Sequence, residues 1–406
     1  MPSRVCYFVL AVAPLTLSTP GSAITIPTGT IIDLRLTTEV SSDKPSGTPV
    51  SAVVISPVEV NNTLVIGFKT QLDGVTADSN ANQPAANGSE EKPATLRVNL
   101  TKIHDGGQSK AISCTLVGVD NARESVDQSG LITGIKASQT FSSLADSGVN
   151  KVTEKNAQLG QLLSGIKKSF AKEADPSIDY KPGIEFTIKL TQPLDWNPTS
   201  QKLPPPITPA AQLNALVAQE PFRTVALKPP SPSDLTNLMF IGTENQIKNA
   251  FKESGWFASD PLGRSSTMKT ASAIIQNDGY DEAPMSVLTL NNKPPDMTFE
   301  KQNNTFASRH HIRLFLMPQQ FAGKPVYVAA ATHDIKIYFS KTSRSITHGI
   351  DPNIDNERSK VTNDVLFTGT VAGVSLVDRA NIPKDISNAT GDRLQTDDKV
   401  SVIEFK

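Results

Sequence analysis

The 406-residue chain sets 39 Lys and Arg against 40 Asp and Glu, a formal net charge of −1, which leaves no basic footprint for nucleic acid. Its 29 prolines and its short Leu, Ile and Val runs separated by turn residues exclude coiled coils and helical repeats, and read as β-rich structure with many loops. Of the two cysteines, Cys6 lies in a segment expected to be removed and Cys114 is left alone, so no internal disulfide is expected.

The chain begins MPSRVCYFVLAVAPLTLSTPGSA. Arg4, then an apolar run from Val5 to Leu17 broken by Pro14, then Gly21-Ser22-Ala23, follow the order of a secretory signal peptide. The run is too short to span a bilayer comfortably, and no later stretch approaches 18 apolar residues. Residues 1–23 are therefore read as a signal peptide. The mature chain is expected to be exported, periplasmic or secreted, with no transmembrane helix.

Residues 24–196 read as an all-β small barrel or sandwich with an inserted helix. IPTGTIIDLRLTTEV (26–40) aligns without gaps on YKPGIEFTIKLTQPL (180–194). In each, apolar residues (Ile32, Leu34 and Leu36; Phe186, Ile188 and Leu190) alternate with polar ones, the period of a half-buried strand. These two are expected as the first and last strands, with others at 50–58, 62–67, 95–101 and 111–119. The polar stretch 75–93 reads as a disordered loop. Residues 150–172 place Leu159, Leu162, Leu163, Ile166 and Phe170 at helical spacing. Cys114 falls in an apolar strand as a structural thiol, and His104 at a solvated hairpin turn. Clustered prolines then make 197–233 a proline-rich linker.

Residues 234–406 read as an α+β domain, so the chain as a whole is of mixed class. Leu238 to Ile241 is an apolar strand. Thr243 and Gln246 form a helix-start capping box, Ile247, Ala250 and Phe251 an inner face, and Gly255 a stop. A second helix is expected at about 265–276, and strands from Met285 onward.

Several stretches of this part resemble the LssY C-terminal domain family. They are NLMFIGTENQIKNAFKESGWFASDPL (237–262), AP (283–284), RHHIRLF (309–315), VYVAAATHDIKIYFS (326–340), THGIDPNIDNERSKV (347–361), GTV (369–371) and TGDRLQTDDKVSVIEF (390–405). Together they run from Asp234 to Phe405. The resemblance implies a bacterial envelope protein, in some relatives joined to membrane phosphatase-like domains of the phosphatidic-acid phosphatase type, and no particular reaction. Two positions depart from the family pattern: Gly349 stands where a second His is usual, and Asp398 where a Gly is usual. IPTGT…LRLTTEVSS and VDNARESVDQSGLITGI (119–135) look like the β-rich N-terminal modules of secreted bacterial envelope proteins.

Four of the five histidines fall between His310 and His348. If RHHIRLFLMPQQFAGKPVYVAAATHD folds as a hairpin with its loop at 318–325, His310 stands opposite His333, while a one-residue slip puts His311 there. Asp334 then projects from the other face. Asp351-Pro352 reads as helix cap and first helical residue, with Ile354, Val361 and Val365 as the buried stripe. Two site readings follow. In one, His310, His311, His333, His348, Asp351 and Asp355 hold a divalent metal, zinc or manganese, that activates water, although no standard zinc spacing is present. In the other, Arg309, Arg313, Arg344 and Arg358 cradle an anion such as phosphate.

Whether the protein is an enzyme stays open at this level. One expectation is an envelope protein that binds or assembles with an envelope or secretion-system protein or a membrane-associated ligand. The alternative is a metal-assisted hydrolase, with phosphate esters as the expected substrate class.

Overall fold

The computed structural model describes residues 23–85, 89–136, 176–227, 230–259, 288–305, 308–340, 345–380 and 382–406. The signal peptide (save Ala23) and the helices expected at about 150–172 and 265–276 lie outside them.

The first unit is built on β1 (Ile31–Leu36), β2 (Pro49–Val54), β3 (Gln71–Asn80), β4 (Thr95–His104), β5 (Cys114–Val119), β6 (Ser125–Val126), β7 (Leu131–Thr133) and β8 (Glu185–Leu190). They lie in one nine-stranded sheet in the order β5-β8-β1-β2-β3-β4-β7-β6, with Ser109–Ala111 pairing β4. β5 also approaches β4, so the sheet is nearly closed on itself. The two matching stretches are neighbours: β1 and β8 pair antiparallel, Ile32 opposite Ile188, Leu34 opposite Phe186 and Arg35 opposite Glu185. Their apolar side chains point into one core with Leu72, Leu96, Ile132 and Trp196, as period-two alternation requires.

Two expectations for this half need correction. Residues 75–93 are in part ordered strand, since β3 runs to Asn80 and Gln83 bridges Lys92. Polar composition misled there because this end of the hairpin buries few side chains and needs few apolar residues. His104 is half-buried, its Nε2 at 2.7 Å from Asp73 Oδ2. Cys114 is half-buried too, and burial pushes its thiol up to about 11, the inert form of a cysteine.

The stretch 197–233 differs from a bare linker. It carries α1 (Ala210–Gln219), β9 (Arg223–Leu227) and the start of β10 (Pro230–Leu235). The prolines do keep 204–206 extended, but that chain is laid on the second unit: Val374 N donates to Pro205 O at 3.0 Å and Ile207 N to Ser375 Oγ at 2.9 Å. Leu213, Leu216 and Val217 are buried, so packing rather than propensity holds this ten-residue helix.

The second unit centres on a mixed sheet. Its strands are β11 (Leu238–Ile241), β12 (Phe257–Ala258), β13 (Met297–Gln302), β14 (Arg309–Phe321), β15 (Lys324–Ser340), β16 (Ser345–Ile350), β17 (Val371–Asp378) and β18 (Lys399–Phe405). The order is β12-β13-β14-β15-β11-β18-β17, with β16 on the far end of β15. Both faces are covered, which is why β11 is apolar at every position. Leu238 and Phe240 pack under α2 (Glu244–Glu253) and α3 (Ile354–Phe367), whereas Met239 and Ile241 pack under α1.

The Thr243–Gln246 capping box is present and Ile247, Ala250 and Phe251 are buried. Gly255, at φ +83, sits in the left-handed conformation that ends the helix. The long hairpin turns on only two residues, Ala322 and Gly323, rather than on the eight expected; both have positive φ, as a turn matched to strand twist demands. α3 is capped by Asn353, whose side chain accepts from Asp355 N, and not by Asp351.

Candidate functional site

β14 pairs β15 with His310 opposite His333, Arg309 opposite Asp334 and His311 opposite Thr332. On its other side β13 places Lys301 against His310 and Glu300 against His311. Because successive side chains alternate faces, the histidine run divides. His310 and His333 lie under α3, and His311 lies on the opposite face with Arg309 and Arg313.

On the α3 face the His310 and His333 rings stack, with centroids 4.1 Å apart and planes 21° apart. His310 is 2% exposed. Its Nδ1 lies 2.7 Å from Glu357 Oε2 of α3, and its Nε2 lies 2.7 Å from Asp120 Oδ2, at the end of β5 in the first unit. A carboxylate at each nitrogen requires a proton on each. Burial opposes the charge, but Glu357 and Asp120 outweigh it and push the imidazolium up to about 10. His333 is half-buried and its Nε2 lies 2.7 Å from Asn121 Oδ1. Asp120, His310 and His333 offer ligand atoms that all lie within 4.8 Å of one another.

This contact is one end of a longer polar seam between the units. Lys301 reaches Glu185 of β8 and lies 3.2 Å from Asp364 of α3. Arg35 of β1 bonds Glu185 at 2.8 Å and Asp364 at 2.9 Å, and Lys360 lies 2.7 Å from each of the same two carboxylates. Trp256 Nε1 donates to Asp364 at 2.8 Å. Despite burial, Lys301, Lys360 and Arg35 hold the Asp364 carboxyl well below its ordinary value. Burial pushes Lys301 down to about 8, against the pull of Asp364 and Glu185.

Arg35, Lys301, Lys360 and protonated His310 thus face Glu185, Asp364, Asp120 and Glu357, and the seam is electrically balanced. The first unit supplies one cation and two anions, the second three cations and two anions. Each is the other's counter-charge. Amide bonds extend the seam: Asn303 Nδ2 donates to Asp120 O at 2.8 Å, and Asn304 Nδ2 to Glu124 Oε2 at 2.8 Å.

On the other face, Arg309 Nε lies 3.0 Å from Asp334 Oδ2, and Arg313 lies 3.6 Å from Asp234. His311 Nε2 bonds Thr332 Oγ1. Burial, then Arg313 and Arg309, push His311 well below its ordinary value, so it is neutral. His311 and His348 lie 3.6 and 3.7 Å from Asp334 Oδ2.

The structure therefore brings His310 and His333 together, adds Asp120, and sets His311 and His348 around a different carboxylate. Asp351 accepts from Asn353 N and Asn356 Nδ2, each at 3.0 Å, and Asp355 accepts from Arg358 at 2.9 Å; neither joins the pair. Arg358 is also bonded to Asp397 at 2.6 Å. Arg309 and Arg313 share one face, Arg358 sits elsewhere, and Arg344 is outside the described residues.

Asp120, Glu357, Lys301 and Asp364 escaped the sequence reading. One signal was available: Glu357 and Asp364 fall on the stripe of α3 that also holds Ile354, Val361 and Val365, and carboxylates on an apolar stripe are buried ones. The partnership of Asp120 with a residue 190 positions later left no trace in the pattern.

These features define a two-part β-rich protein whose units are joined through buried charge. The family model described as LssY C-terminus matches residues 223–400, so that stretch is similar to this family; the match starts at β9, ahead of the Asp234 expected. A solved structure, ComB10 of the Com type IV secretion system of Helicobacter pylori, is similar at 13% identity and a TM-score of 0.21, over 44% of this chain and 93% of that one. That score is too low to transfer a fold. The comparison with curated proteins returned no match.

Proposed function

We propose that this is an exported bacterial cell-envelope protein with a binding or assembly role, its two units fixed as one body that presents their surfaces together. The observation that carries it is His310. Both of its nitrogens are engaged by carboxylates, one from each unit, which is the geometry of cement rather than of a base waiting for a substrate. Export is supported by the charged, apolar, small order of the first 23 residues. Among the described residues no helix is long and apolar enough to cross a membrane. The partner is an envelope or secretion-system protein or a membrane-associated ligand.

Expression of the whole chain, osmotic-shock fractionation and intact-mass measurement test the location. A periplasmic or secreted form beginning at Ile24 is expected, and a cytosolic chain retaining Met1 refutes it. Native electrophoresis of envelope extracts tests assembly. A species larger than the lone chain is expected, and a monomer throughout counts against the reading.

One observation favours a second reading, a metal-assisted hydrolase: Asp120, His310 and His333 are spaced as ligands, and Glu357 on His310 Nδ1 is placed as the carboxylate that orients a ligating imidazole. Elemental analysis of protein purified without chelator decides it. Stoichiometric zinc or manganese, lost in His333→Ala, with phosphate-ester hydrolysis lost in parallel, establishes the enzyme; metal-free protein removes it.

A further inference from the structure

Asp120 and Asn121 follow β5 in the first unit, and each meets one of the two stacked histidines of the second. His310 Nε2 lies 2.7 Å from Asp120 Oδ2, and His333 Nε2 lies 2.7 Å from Asn121 Oδ1. The Asn121 amide is oriented by a second bond, from its Nδ2 to Lys301 O at 3.2 Å, so its oxygen is the atom turned to His333. Two oxygens from one unit thus face two imidazole nitrogens from the other. Asp120, His310 and His333 offer ligand atoms within 4.8 Å of one another, and Asn121 adds a fourth donor at hydrogen-bond distance from His333. Glu357 Oε2, 2.7 Å from His310 Nδ1, holds that ring as outer carboxylates hold ligating imidazoles.

Charge favours a cation at this end of the seam. At the other end Arg35, Lys301 and Lys360 share Glu185 and Asp364, an excess of one positive charge. Here two carboxylates, Asp120 and Glu357, share the His310 imidazolium, an excess of one negative charge. A divalent ion takes the place of the hydrogen on His310 Nε2, so one proton leaves as two positive charges arrive, and the local excess is cancelled. His333 offers its Nε2 by carrying its hydrogen on Nδ1.

We propose that Asp120, Asn121, His310 and His333 bind one zinc ion that bridges the two units, a structural ion and not a catalytic one. The inference rests on the reading of the units as one fixed body. Imidazole and carboxylate suit zinc. Four protein donors fill a tetrahedral ion and leave no position for a reacting water, the closed form of structural zinc sites. Because two ligands come from each unit, the ion binds the docked arrangement and stabilises it.

The test uses the whole exported protein, stripped with chelator and dialysed against zinc chloride, with magnesium chloride as the control. One zinc per chain is expected, with the melting temperature raised by about 3 °C or more and no response to magnesium. Asp120→Asn from the first unit and His333→Ala from the second are each expected to weaken zinc binding at least tenfold. No zinc uptake, an equal response to magnesium, or full affinity in either variant overturns the proposal. If Asp120→Asn fails to fold, unchanged affinity in Asn121→Ala overturns it instead. Zinc-dependent hydrolysis of p-nitrophenyl phosphate also overturns the closed site and assigns the ion to the hydrolase reading. The underlying reading fails separately: metal-free protein that unfolds in two transitions refutes the fixed body, whereas a single transition unmoved by zinc refutes the ion alone.

Discussion

Asp364→Asn keeps the shape of the side chain and deletes one charge at the centre of the seam. In the native protein that carboxylate is 1% exposed and serves Arg35, Lys301, Lys360 and the Trp256 indole N–H. After the substitution three cations face Glu185 alone, and the new amide turns donors toward them. Breaking a buried ion pair from one side costs about 3–5 kcal/mol, because the other charge stays desolvated. Urea unfolding followed by the fluorescence of Trp196 in the first unit and Trp256 in the second reports that loss. The variant is expected to lose about 3–5 kcal/mol, and its single transition to separate into two as the units come apart. Asp385→Asn, which touches only a solvent-exposed pair with Arg393, is expected to change nothing measurable. Adding Lys301→Met to Asp364→Asn should recover part of the loss, since it removes a charge left without its partner. An Asp364→Asn protein within about 1 kcal/mol of the parent, far below that penalty and with one coincident transition, would falsify the claim that buried charge holds the units together.

Stability should depend on pH through His310. Its folded value, about 10, lies above the ordinary one near 6.5, so the folded state keeps a proton that the unfolded state gives up as pH rises. The contribution is complete below about 6.5 and declines through about 10, by at most about 1.4 kcal/mol per pH unit. Lys301, pushed down to about 8, moves stability the other way above pH 8, so the steepest loss is expected between pH 6.5 and 8. Urea midpoints across that window check it, and a slope equally steep in His310→Gln would assign the effect elsewhere. At the hairpin, Ala322 adopts φ +48 ahead of Gly323 at φ +77. Asn tolerates that conformation where Ala is strained, so Ala322→Asn should stabilise by about 0.5–1 kcal/mol; an unchanged or lower melting temperature refutes the turn assignment.

Much of the fold could be read from local pattern. The alternation in 31–36 and 185–190 marked two strands, and their likeness reflects a shared position in the sheet, side by side with Leu34 against Phe186. The capping box at Thr243 and the apolar run Leu238–Ile241 fell where expected because each is decided within a few residues. The hairpin register followed from the same logic, so His310 opposite His333 was legible. The helix at 210–219 was hidden by the prolines before it, and its stability comes from the sheet it covers.

The sequence by itself determined periodicity: which residues form strands, which faces they bury, and which histidines stand opposite each other across one hairpin. The tertiary structure alone decided which charges meet. Asp120 and His310 lie far apart along the chain, as do Arg35 and Asp364. Period and propensity describe neighbours within a strand or turn, whereas burying a charge demands a counter-charge from whichever segment folding brings near. Only the closed arrangement of two units shows which carboxylate each buried cation has found.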